Sequence, residues 1–187
     1  MTEKQEVRLA GFGGQGIVLA GHILGKAATL FEGKQAVFTQ SYGPEARGGA
    51  CSADVVISQN RIHYPKVSRP HVLVLMSQGS WASYGSSIRQ GGILIVDEDL
   101  VVVDRELEGV TVYRVPATRM AEELGKTIVA NIVMLGALSA LGGVVSHEAA
   151  REAVLQSAPK GTEELNQKAF ERGYRYGLEL LHGRQNN

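Results

Sequence analysis

Cysteine is nearly absent from this 187-residue chain: Cys51 stands alone. One thiol excludes an internal disulfide, a Cys-x-x-Cys zinc site and an iron–sulfur cluster held within the chain. Net charge is also missing, with 19 Lys and Arg balancing 19 Asp and Glu. That balance excludes a generic nucleic-acid binder and a polybasic membrane binder, both of which need a surplus of cations. The longest apolar run, Thr127 to Leu141, is about 15 residues and falls short of the roughly 20 needed to cross a bilayer. The polar start, Met1-Thr-Glu-Lys-Gln-Glu6, lacks the apolar core of a signal peptide, so a cytoplasmic location is the expectation. Five histidines show no metal-ligand spacing, and no G-x-S-x-G elbow occurs among the serines. Metal and self-contained hydrolase chemistry are thus unsupported.

Glycine is in excess, 23 of 187 residues, about 12% against a usual 7%. With 44% hydrophobic and 20% charged residues the chain can build a core. No repeat, linker or low-complexity tract divides residues 1–187, and one domain is expected.

Val7 to Ala10 reads as a strand running into Gly11-Phe-Gly-Gly-Gln-Gly16. Apolar residues then recur at helical spacing from Ile17 to Phe31. Further strands are predicted at Gln35 to Phe38, Ser52 to Ile57, Val72 to Met76, Ile93 to Val96 and Val110 to Val115. Helices are predicted at Trp81 to Ile88, Ala117 to Leu124, Thr127 to Leu141, from an N-cap at Ser146 to Leu155, and from Thr162 to about Leu181. The alternation predicts a three-layer α/β/α sandwich with a mostly parallel central sheet and a helix-rich C-terminal third; its first β-α-β would be ordered by the right-handed crossover rule.

Two glycine loops draw attention. Gly11 to Gly16 fits G-x-G-x-x-G between a strand and a helix, a place for an anion or a dinucleotide. The acid that would hold a ribose hydroxyl is missing, because Phe38, Thr39 and Gln40 occupy its place. NAD or FAD binding, other phosphate or partner contact, and mere packing of the turn all remain open on the motif alone. The second loop, Ser41 to Gly49, would emerge near the first, where Arg47 can pair with Glu45 or bind a carboxylate or phosphate as a planar fork. Cys51 is expected as a small, mostly buried thiol. Asn131, the strongly polar residue of the apolar helix, is expected to bond a loop carbonyl or a neighbouring subunit. Gly173 and Gly177 predict close packing of the last helix.

Taken together, these segments carry a resemblance. Gly11-Phe-Gly-Gly-Gln-Gly16, Ser41-Tyr-Gly-Pro-Glu-Ala-Arg-Gly-Gly49, Asp54-Val-Val-Ile-Ser58, Tyr64-Pro65, Gly91-Gly92 leading to Val96-Asp97, and Asn131 to Gly136 resemble the gamma subunits of 2-oxoacid:ferredoxin oxidoreductases, most of all the 2-oxoglutarate type. Asn166, Ala169, Phe170 and Gly173 fit as well; His71 and Cys51 depart from the pattern. The resemblance implies one subunit of a complex that oxidatively decarboxylates a 2-oxoacid to acyl-coenzyme A and CO2, with electrons passed to ferredoxin. It implies partners: alpha and beta subunits and a ferredoxin-like delta element. Thiamine diphosphate, iron–sulfur clusters and coenzyme A are expected in the complex, with none held by this chain alone. No catalytic residue and no metal ligand is assigned. The residues expected at the coenzyme A or active-site edge are Gly11, Gly13, Gly14, Gln15, Gly16, Tyr42, Gly43, Pro44, Glu45, Arg47 and Gly48. A free-standing Rossmann-type dinucleotide protein and a pure scaffold subunit are the alternatives.

Overall fold

A computed structural model of the protein describes residues 4–42 and 49–185. Six strands form one sheet in the order β2-β3-β1-β4-β5-β6. They are β1 (Gln5–Phe12), β2 (Gln35–Tyr42), β3 (Ala50–Ser58), β4 (Val72–Leu75), β5 (Ile93–Asp97) and β6 (Thr111–Val115). β1, β4, β5 and β6 pair in parallel, whereas β3 runs antiparallel to both β1 and β2. The sheet is therefore mostly parallel, as predicted, with one reversed strand. That strand separates β1 from β2, so the first crossover does not join adjacent strands. Runs of Val, Ile and Leu in β3, β4 and β5 are buried on both faces.

Side-chain alternation divides the core in two. Val7 and Leu9 of β1, with Val55, Ile57 and Val74, face a thick layer made from α1 (Ile17–Lys26), α3 (Ala117–Glu123), α4 (Ala130–Gly142), α5 (His147–Ser157) and α6 (Glu163–Gln185). Ala10, Leu73, Leu75, Leu94 and Val96 face the other way, under α2 (Gln78–Tyr84) and the segment after β5 that carries Val101. The third layer is thus thin. Trp81 anchors it: its indole donates to Asp104 at 2.9 Å and carries Arg105 4.5 Å above the ring. On the same face Arg8 donates twice to Asp54, at 2.7 Å each, tying β1 to β3.

The predicted elements recur with shifted ends. β2 continues through Tyr42, four residues past the expected stop, because its pairing with β3 extends to Cys51. α2 begins three residues early, since Ser77 and Ser80 form a reciprocal capping box, and it gives way at Gly85. Thr127–Val129 is a 3-10 turn before the buried helix α4. Ser146 caps α5 as expected, accepting from the Ala149 N–H at 3.2 Å. α1 passes into a five-residue π-helical turn, Ala27–Phe31, which the apolar spacing did not reveal. Gly136 of α4 and Gly173 of α6 face each other's backbones: a Cβ on Gly136 would lie 2.8 Å from the Tyr174 nitrogen, and one on Gly173 2.7 Å from the Val133 carbonyl carbon. Among the described residues no helix is long and apolar enough to cross a membrane.

Candidate functional site: a braced glycine loop beside an apolar groove

β1 delivers the chain to the carboxyl edge of the sheet, and Gly11 to Gly16 turn it into α1. Gly14 and Gly16 have φ of 98° and 73°, left-handed values that a side chain would strain. Gly16 serves as the N-cap of α1 without any side-chain cap. The turn is braced from inside by Gln15. Its Oε1 accepts from the Phe12 N–H at 2.7 Å, and its Nε2 donates to the Met76 carbonyl, just beyond β4, at 2.7 Å. Asn131 braces it from α4 by donating to the Gly16 carbonyl at 3.1 Å, the loop contact expected of that amide. The Gly13 N–H is also engaged, by the Gly49 carbonyl at 3.0 Å, so the two glycine loops do meet. Gly11 must lack a side chain, because a Cβ there would sit 2.9 Å from Ile17 Cδ1 and collide with Gln15.

Beside the loop lies a groove of about 580 Å³. Its walls are the loop, the first turns of α1, and the ends of β2 and β3; Phe12, Leu19, Phe38 and Tyr42 are among its large apolar lining side chains. His22, Gln40 and Cys51 are its polar side chains, and no Lys or Arg lines it among the described residues. Cys51 is buried, and burial pushes its thiol up, with the Val18 N–H opposing. It is a packed thiol rather than an activated one. A larger open concavity of about 720 Å³ lies among Val103 to Arg114 on the thin-layer face, and none of Gly11 to Gly16 lines it.

The predicted site residues therefore divide. Gly13, Gly14, Gly16 and Tyr42 line the groove. Gly11 and Gln15 shape and hold the loop. Gly43, Pro44, Glu45, Arg47 and Gly48 lie outside the described residues. Sequence reasoning missed Leu19, His22 and Phe38 as groove residues, although Phe38 had already been noted where a ribose-binding acid would sit. The dinucleotide alternative loses its geometry. In a Rossmann unit the second strand lies beside the first, but here β3 intervenes, and three N–H groups of the loop, those of Phe12, Gly13 and Gln15, are spent on internal bonds.

The fold and site together define an α/β domain that presents a braced glycine loop at the edge of a sheet with one reversed strand. The chain belongs to the pyruvate ferredoxin/flavodoxin oxidoreductase family, whose sequence profile matches residues 6–176. It is 55% identical over 179 residues to the 2-oxoglutarate synthase subunit KorC of Methanocaldococcus jannaschii, covering 95% of this chain and 96% of that one. The pyruvate synthase subunit PorC of the same organism is 29% identical over 172 residues, 90% of this chain and 94% of that one. The ketoisovalerate oxidoreductase subunit VorA of Methanothermobacter marburgensis is 36% identical over 95% of this chain, but the match covers only 37% of VorA. Among solved structures, the keto/oxoacid ferredoxin oxidoreductase gamma subunit of Geobacter sulfurreducens superposes with a TM-score of 0.83 at 43% identity, covering 94% of this chain and 99% of that one. The resemblance read from the glycine motifs holds at the level of the family.

Proposed function

We propose that this chain is the gamma subunit of a 2-oxoglutarate:ferredoxin oxidoreductase, a complex that converts 2-oxoglutarate and coenzyme A to succinyl-coenzyme A and CO2 while two electrons pass to ferredoxin. The observation that carries the reading is the contrast in identity within one organism, 55% to the 2-oxoglutarate synthase subunit against 29% to the pyruvate synthase subunit, each over nearly the whole chain.

Thiamine diphosphate supplies the carbanion, iron–sulfur clusters take the electrons, and coenzyme A takes the acyl group. The residues of this chain fit those groups unequally. One cysteine cannot ligate a cluster. Among the described residues no three His, Cys, Asp or Glu side chains gather for a metal that would hold a diphosphate. Alpha, beta and ferredoxin-like delta subunits would hold those groups. The groove suits the pantetheine arm of coenzyme A, which is apolar with spaced amides; the nucleotide phosphates need cations that its described lining lacks. In this reading Gly13, Gly14, Gly16 and Tyr42 border that arm, and Arg47, by the chemistry of its guanidinium alone, is the candidate for a phosphate or carboxylate. Gln15 and Asn131 are positioning residues, fixing the turn so that its backbone forms a rigid wall.

The test is to express the complex with and without this chain and to follow ferredoxin reduction with 2-oxoglutarate and with pyruvate. Turnover should require this chain and favour 2-oxoglutarate. Full activity without it, or a preference for pyruvate, would overturn the reading.

A further inference from the structure

β2 ends the sheet, and among the described residues no strand pairs with its outer edge. The strand is Gln-Ala-Val-Phe-Thr-Gln-Ser-Tyr: eight residues without a charge or a proline. Stand-alone proteins blunt such an edge with lysine, proline, a bulge or a cover, because its open N–H and C=O groups invite another chain. Alternation turns Ala36 and Phe38 toward α1, where with His22, Lys26 and Leu30 they line a second groove of about 360 Å³. Leu19, His22, Lys26 and Leu30 recur at helical spacing along that flank. Leu19 is 41% and Leu30 67% exposed, and Leu30 sits in the π-helical turn, a deviation often found where a helix serves a function.

The relatives indicate what kind of polypeptide this domain sits beside. In VorA the matching region is 37% of one longer chain, and in the 2-oxoglutarate:ferredoxin oxidoreductase of Magnetococcus marinus, at 22% identity, it is 32% of a longer chain with the same fold. There a covalent link keeps the domain beside the rest of the polypeptide. The 2-oxoglutarate synthase subunit of Methanocaldococcus jannaschii, by contrast, is matched over 96% of its own length, and in a subunit of that size a surface must do the work of the link.

We infer that the α1–β2 seam is the docking face for the subunit corresponding to the remainder of those longer chains, and that an extended, uncharged segment of it adds a strand to β2. This rests on the subunit reading above. The segment places small apolar side chains into the groove between Leu30 and Phe38, with a polar acceptor opposite Lys26, the one Lys or Arg of that lining among the described residues. The groove shares His22 and Phe38 with the one beside the glycine loop. Docking therefore brings the partner to the loop, where it can supply the cations that this lining lacks.

The test is co-expression with the other subunits, followed by affinity capture and light scattering, using the double variant Leu19→Glu/Leu30→Glu, the edge variant Thr39→Lys, and Val102→Glu as an exposed control on the opposite face. Both seam variants should weaken capture at least about tenfold while each isolated chain melts as the wild type does; the control should be captured normally. Normal capture of both seam variants would overturn the assignment. A wild-type chain that is itself a dimer, made monomeric by the seam changes, would overturn it in favour of a second copy. Failure of the wild type to be captured at all would sink the subunit reading and this inference with it.

Discussion

At the scale of residues, Gln15 and Asp97 show two uses of a polar group, the first half-buried and the second fully buried. Gln15 joins the Phe12 N–H to the Met76 carbonyl. Gln15→Ala leaves both groups without that partner and should cost the isolated chain about 1–3 kcal/mol, read from denaturant unfolding. In the assembled enzyme the looser turn should raise KM for coenzyme A more than it lowers kcat; a pure loss of folding would change neither in the surviving fraction. Asp97 is fully buried at the end of β5 and accepts from the Thr118 N–H and O–H and the Asp99 N–H. Burial raises its carboxyl above the ordinary 3.8 despite those donors. A raised value in the fold means that the native state holds the proton to higher pH than the unfolded chain does. This contribution to stability is complete below the ordinary value and is lost as pH climbs through the raised one. The difference in unfolding free energy between wild type and Asp97→Asn should therefore drift against the wild type from about pH 4 upward, then level. A flat difference would contradict the assignment.

At the scale of elements, α4 and α6 pack through glycines that leave no room for a methyl group on either side. Gly173→Ala must push the helices apart and should cost about 3 kcal/mol, the upper end for an overpacked core, while Gly183→Ala, with open space around it, should be neutral or slightly stabilising. Thermal unfolding of the two variants checks this. Gly173 and Gly177 were legible as a close-packing signal, as were the Ser146 cap and the Asn131 contact, because each depends on a residue type with few alternative roles. The π-helical turn was not legible, since one extra residue per turn scarcely disturbs an apolar stripe. The insertion of β3 between β1 and β2 was hidden for another reason: strand order is decided by long-range pairing, and Val, Ile and Leu runs look the same in parallel and antiparallel neighbours.

At the scale of the whole molecule, the glycine loops could be located from sequence, and the Asn131 contact and the meeting of the loops follow the expectation, whereas the Gln15 brace was not foreseen. The apolar character of the groove was not legible, because Leu19, His22 and Phe38 come from α1 and β2 and converge only when β2 pairs beside β3 and α1 packs over them. The strand order has a consequence for how the chain forms. β1 is made before the other five strands yet lies in the middle of the sheet, between β3 and β4. Its neighbours lie about 45 and 65 residues downstream, so it cannot be enclosed until Leu75 has left the ribosome. Until then β1 waits with its Val and Leu residues open to water, and the timing of synthesis, more than local helix formation, governs when the nascent chain becomes safe from aggregation.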